Sequence, residues 1–125
     1  LYLMAAVLGV VVCRSLRLPP MLGNLNCLLM TLESFLATVR SDGVPPQGLS
    51  SGLEALWHAK AGHWDRAHEI AQDIPTKTGS WIHGLLHAIE GDFGNSAYWY
   101  CLAGRDPICR EQIEAEWERI VAALL

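Results

Sequence analysis

The sequence predicts an all-α fold, on three observations. From Met30 onward apolar residues recur at helical spacings; no stretch alternates with the two-residue period of a strand; and the order helix, glycine stop, aromatic-led second helix occurs twice in succession. A chain of 125 residues with 51% hydrophobic content has room for one domain and a filled core, but those residues are unevenly placed. LYLMAAVLGVVVC, residues 1–13, holds one position outside the apolar set, Gly9, and no acid precedes Glu33. From Met30 onward seven Lys and Arg face all thirteen Asp and Glu. That balance argues against a nucleic-acid partner, which would need clustered basic side chains.

The first segment differs in kind from the rest. A bilayer span needs about 20 apolar residues, and this run is interrupted by Arg14 and Arg17. Its charges follow the apolar stretch, which suits the cytoplasmic end of a span and not a signal peptide. AAVLGVVVCRSLRLPPMLG, residues 5–23, resembles the opening of bacterial monovalent cation:proton antiporters of the glutathione-gated potassium-efflux type. The resemblance implies a shared origin for that segment only, because Asn24, Asn26 and Glu33 follow where another apolar span belongs. Residues 1–29 are therefore read as foreign to the domain, a membrane-span fragment or gene-boundary artefact. Residues 30–125 are read as a helical-repeat domain beginning at Met30.

Each element of that domain has its own signal. Thr31 can cap a short helix whose apolar face is Leu32, Phe35, Leu36 and Val39. Residues 41–50 form a linker that cannot stay helical through Pro45-Pro46. Ser51-Gly52-Leu53-Glu54 has capping-box spacing, and the helix it opens carries Leu53, Leu56, Trp57 and the Lys60 stem to Gly62. A helix from His63 to Asp73 lines up Trp64, Ala67, His68 and Ala71, with Pro75 beyond it. The next has a core stripe of Ile82, Leu85, Leu86 and Ile89. FGNSAYWYCLAG is apolar on nearly every side, the pattern of a central helix. A last helix is expected from Asp106-Pro107, with Ile108, Ile113, Trp117, Ile120, Val121 and Leu124 inward and Glu111, Glu114 and Glu118 outward, as a capping helix requires.

Aligning LWHAKAGHWDRA (56–67) with LLHAIEGDFGNS (85–96) pairs His58 with His87, Ala59 with Ala88, Gly62 with Gly91 and Trp64 with Phe93. Two copies of a helical hairpin are the expectation. Gly62, Trp64 and Ala67 resemble the A-x-x-x-G-x-[WFY]-x-x-A core of tetratricopeptide-like repeats, although His58 holds the leading alanine's place and the offset of 29 residues falls short of that family's repeat of about 34 residues. Residues 56–104 also resemble a small uncharacterised bacterial family, through Trp57, Gly62, Trp64, Ala67, His68, Gln72, Trp81, His83, His87, Glu90, Gly91, Asp92, Asn95, Tyr98, Trp99 and Tyr100. That resemblance implies no particular activity.

The polar residues able to carry chemistry are concentrated. All five histidines fall between His58 and His87, and His83, His87 and Glu90 share one helical flank at i, i+4, i+7. Such spacing can put two imidazoles on a metal, with Asp92, His68 or water completing the shell. The H-E-x-x-H order of hydrolytic zinc sites is absent. Lying about 100° from the core stripe, the histidines are expected at its edge, bonding to the hydroxyls of Tyr98 or Tyr100. The candidate binding set is His68, His83, His87, Glu90, Asp92, Asn95, Tyr98 and Tyr100, with no catalytic residue, metal or cofactor assigned. Neither a phosphate-binding glycine loop nor a G-x-S-x-G elbow occurs, which weighs against an enzyme.

Cys13, Cys27, Cys101 and Cys109 form no C-x-x-C pair and read as free thiols of a reducing compartment, Cys109 near a helix start that would lower its pKa. The function favoured from sequence is a cytoplasmic module that binds protein or itself, with membrane association only through residues 1–29. The alternatives are a metal- or small-ligand-binding protein or enzyme using the His83/His87/Glu90 flank, and an antiporter remnant.

Overall fold

The computed structural model describes residues 30–41 and 43–125. The antiporter-like segment, with Cys13 and Cys27, lies outside the described residues. Those described are all-α: α1 (Leu32–Ser41), α2 (Ser51–Lys60), α3 (Trp64–Gln72), α4 (Lys77–Glu90), α5 (Phe93–Ala103) and α6 (Ile113–Leu124), the last preceded by a 3₁₀ turn at Arg110–Gln112. Among them no helix is long and apolar enough to cross a membrane.

α1 is capped as its sequence requires: the Ser34 backbone N–H donates to Thr31 Oγ1 at 3.2 Å. Its Phe35 is fully buried and stacks on Trp117 of α6 with ring centroids 6.0 Å apart. The cap of α2 lies one residue earlier than the capping-box spacing suggests. Ser50, in extended conformation, accepts the Leu53 N–H, and Ser51 is already helical. Gly62 ends the α2–α3 turn and Gly91 the α4 helix, both with left-handed backbone (φ 83° and 97°) that a side chain disfavours.

α2 packs on α3 and α4 on α5, each pair across a short glycine-bearing turn, while α4 also meets α2, α3 and α6. α4 is therefore the central helix, buried from Trp81 through Ala88. This corrects two expectations. α5, apolar all round, is not central: it buries Ser96, Tyr100 and Ala103 on one stripe against α4, and leaves Tyr98 and Leu102 exposed. Uniform apolarity gave no sign of which side would be covered. The stripe of α4 is also rotated, so that Ile89 is exposed while His83 and His87 are buried.

The close approach of α4 and α5 depends on Gly84, where a Cβ would stand 2.6 Å from the Tyr100 ring. α6 starts at Ile113 and not at Asp106-Pro107, because the Gln112 side chain turns back to accept the Cys109 N–H at 2.9 Å. Cys109 is thus an exposed residue ahead of a three-residue turn, not one in the first turn of a long helix. α6 buries Trp117, Ile120 and Val121, with Glu111, Glu114 and Glu118 outward. The Trp117 indole N–H donates to the Leu56 carbonyl at 2.9 Å, tying α6 to α2.

Candidate metal centre

His83 and His87 lie one turn apart on α4 and their rings stack, centroids 5.1 Å apart and planes 12° from parallel. α3 brings His68 edge-on to both, at 4.4 Å from His83 and 5.4 Å from His87. One ring nitrogen from each of the three lies within 4.8 Å of the others. The tightest approach is His68 Nε2 to His83 Nε2, 2.7 Å, where one nitrogen must carry the proton that the other accepts.

Two indoles hold the rings in place. Trp64, the first residue of α3, stacks on His68 at 4.7 Å, and Trp99 of α5 stacks on His83 at 3.9 Å, nearly parallel. Trp64 is itself fixed by donating its Nε1–H to the Leu86 carbonyl at 2.8 Å. On the far side of His87, Glu90 Oε2 lies 3.2 Å from Nδ1 and Asn95 Nδ2 lies 3.4 Å from Nε2. Glu90 can only accept when ionised, so it selects the tautomer with the proton on Nδ1, and the Nε2 lone pair accepts from the Asn95 amide, a bond that an ion at Nε2 would replace. Asn95 is delivered by the turn after α4, where Asp92 accepts its backbone N–H at 3.0 Å and so caps α5.

Burial disfavours the charged form of two of these imidazoles, His83 and His68. Burial first, and then neighbouring His68 and His87, push His83 down to about 4. His68 is also lowered, by burial and by His87, against a partly opposing pull from Glu90 and Asp65. Neutral imidazole is the metal-binding form. An ion bound tetrahedrally at about 2.0–2.1 Å holds its nitrogens about 3.3–3.4 Å apart, between the 2.7 Å of the closest pair and the 4.8 Å bound of the whole set. Small ring rotations would therefore seat one, with the ion taking the place of the proton shared by His68 and His83. His68 is only partly buried, which gives a route from solvent.

Of the residues singled out from sequence, His68, His83, His87, Glu90 and Asn95 come together. Asp92 is a helix cap. The two tyrosines are elsewhere. Tyr98 points outward, 57% exposed. Tyr100 is buried on the other side of α5, where its hydroxyl donates to Glu116 Oε1 at 3.3 Å. The expected histidine–tyrosine bonds are thus replaced by contacts among the histidines, because α3 supplies a third imidazole and α6 supplies the tyrosine's acceptor.

Glu116 escaped the sequence reading, which placed the acids of α6 outward. It is 6% exposed and takes the Trp81 Nε1–H at 2.6 Å as well. The signal was its position, since 113, 116, 117 and 120 make one helical stripe. A second imidazole pair, His58 and His63, meets through Nδ1 atoms 3.3 Å apart, with Glu54 Oε1 4.0 Å from His58 Nε2 and Trp57 edge-on, but no third ligand group closes on both among the described residues. No protein-family model, curated protein or solved structure matches the chain.

Proposed function

We propose that this protein binds one first-row divalent transition-metal ion, of which zinc is the reference, through His68, His83 and His87. The observation that carries the reading is the convergence of three imidazole nitrogens from two helices within 4.8 Å, two of the rings being buried. Three nitrogen ligands without thiolate favour Zn²⁺, Ni²⁺ or Cu²⁺ over Mg²⁺ or Ca²⁺, which take oxygen shells. Glu90 supports His87 as an outer-sphere carboxylate, the arrangement that orients a ligating imidazole and raises its basicity. A fourth position remains for water or an exogenous ligand.

Association with protein, the function favoured from sequence, has the exposed Tyr98 and Leu102 of α5 in its support. Two exposed apolar side chains one helical turn apart are ordinary on protein surfaces. Three converging imidazoles are the more demanding feature. The relation between the two helix pairs is supported by matching left-handed glycines, Gly62 and Gly91, each followed by an aromatic-led helix.

Equilibrium dialysis of the full chain against zinc, followed by elemental analysis, tests the reading. About one ion per chain is expected for wild type, and a drop in affinity of at least about 100-fold for a His83→Ala, His87→Ala double variant. Equal zinc retention by the two proteins would refute it.

A further inference from the structure

The α5–α6 connection lines an open cavity of about 450 Å³ whose walls include Arg105, Arg119, Gln112 and Glu116. Its floor is charged and already satisfied. Glu116 Oε1 accepts from Trp81 and Tyr100, and Oε2 lies 3.4 Å from Arg119 Nη1. Arg105 is different. Its guanidinium carbon lies 3.3 Å from the Trp81 ring centroid, too close for anything but face-to-face stacking. Arg105 is half-buried, and among the described residues its guanidinium has no hydrogen-bond acceptor or ion-pair partner, its backbone N–H alone donating to the Tyr100 carbonyl.

A guanidinium fixed flat on an indole keeps its five N–H donors in one plane parallel to the ring, pointing outward along that plane. Trp81 is itself held by its short bond to Glu116, so the fork is aimed before any ligand arrives. Arg119 stands over the same indole, 5.7 Å from its centroid, with its charge paired to Glu116. Of the acidic residues on the wall, Asp106 is exposed at the rim and the Glu116 charge is spent on Trp81, Tyr100 and Arg119. Planar bidentate recognition of an oxyanion is what such a fork does best.

We propose that this cavity binds a small molecule through an oxyanion group, a carboxylate or a phosphate, with Arg105 as its bidentate anchor. The cavity is large enough for a ligand of sugar-phosphate or dicarboxylate size. The proposal stands apart from the histidine cluster and needs no metal.

Calorimetric titration of the full chain with inorganic phosphate and, separately, with succinate distinguishes the two sources. At least one of them is expected to bind wild type with a Kd below about 1 mM. That affinity should fall at least about tenfold in Arg105→Gln, and comparably in Arg105→Lys, which keeps the charge but not the fork. Absence of binding by both probes overturns the proposal. So does an Arg105→Lys variant that folds with wild-type circular dichroism and binds as tightly as wild type.

Discussion

Lowering the pH of the metal-free protein should destabilise it through His83, and the size of the effect follows from the geometry. His83 is 5% exposed, packed between the His87 and Trp99 rings and against His68, so its protonated form is disfavoured and its pKa falls from 6.5 to about 4. Between those values the unfolded chain binds a proton that the folded chain refuses. Stability therefore rises with pH in this window: the contribution is complete above about 6.5 and is lost as pH falls toward about 4. For one such group the loss is about 2 kcal/mol by pH of about 5 and about 3 kcal/mol by pH of about 4. His68, lowered in the same direction, adds to it. Carboxylates titrate over part of this range, so the assay is the difference between wild type and His83→Gln in urea unfolding at a series of pH values without metal. Wild type should lose more stability than the variant on acidification, and the gap between the two curves should change mainly between about 6.5 and about 4. Parallel curves would mean that His83 is not held neutral by its surroundings, and the description of the cluster would fail.

Other perturbations read the frame around the site. Glu116→Ala removes the acceptor of two buried donors, Trp81 Nε1–H and Tyr100 O–H; urea unfolding should show a loss of about 2–5 kcal/mol, and Glu116→Gln, which keeps an acceptor, a smaller loss of about 1 kcal/mol. Gly84→Ala would drive a methyl to 2.6 Å from a Tyr100 ring atom, forcing α4 and α5 apart at about 1–3 kcal/mol and altering near-ultraviolet circular dichroism. Gly91→Val places a β-branched residue at φ 97° and should lower the melting temperature by an amount equivalent to about 1–2 kcal/mol, whereas the exposed Lys77→Ala should stay within about 0.5 kcal/mol of wild type.

The helical class and the first element were legible because they rest on local rules. Thr31 caps α1, and the Leu32, Phe35, Leu36 and Val39 stripe meets the core. What was not legible depends on which neighbour arrives. His83 and His87 look polar in a periodicity count, which turned the apparent core face of α4 toward Ile89. They are buried because Trp99, Trp64 and His68 come from other helices to cover them. The i, i+4 histidine pair was visible in the sequence, but its third member, His68, is 15 residues away from His83 and joins only through the packing of α3 on α4. For α5 the difficulty was the reverse, since apolar residues on every side leave the buried stripe undetermined until Gly84 admits the Tyr100 ring. Glu116 stood in the apolar stripe of α6 throughout. Its acceptors' demand came from Trp81 and Tyr100, on two different helices.

X-ray absorption at the zinc edge of the protein loaded with one equivalent of Zn²⁺ counts the ligands directly. The account predicts three imidazole nitrogens at about 2.0–2.1 Å with one further light-atom ligand, falling to two imidazoles in His68→Ala. A shell dominated by oxygen, or an imidazole count unchanged when His68, His83 or His87 is replaced in turn, would contradict it.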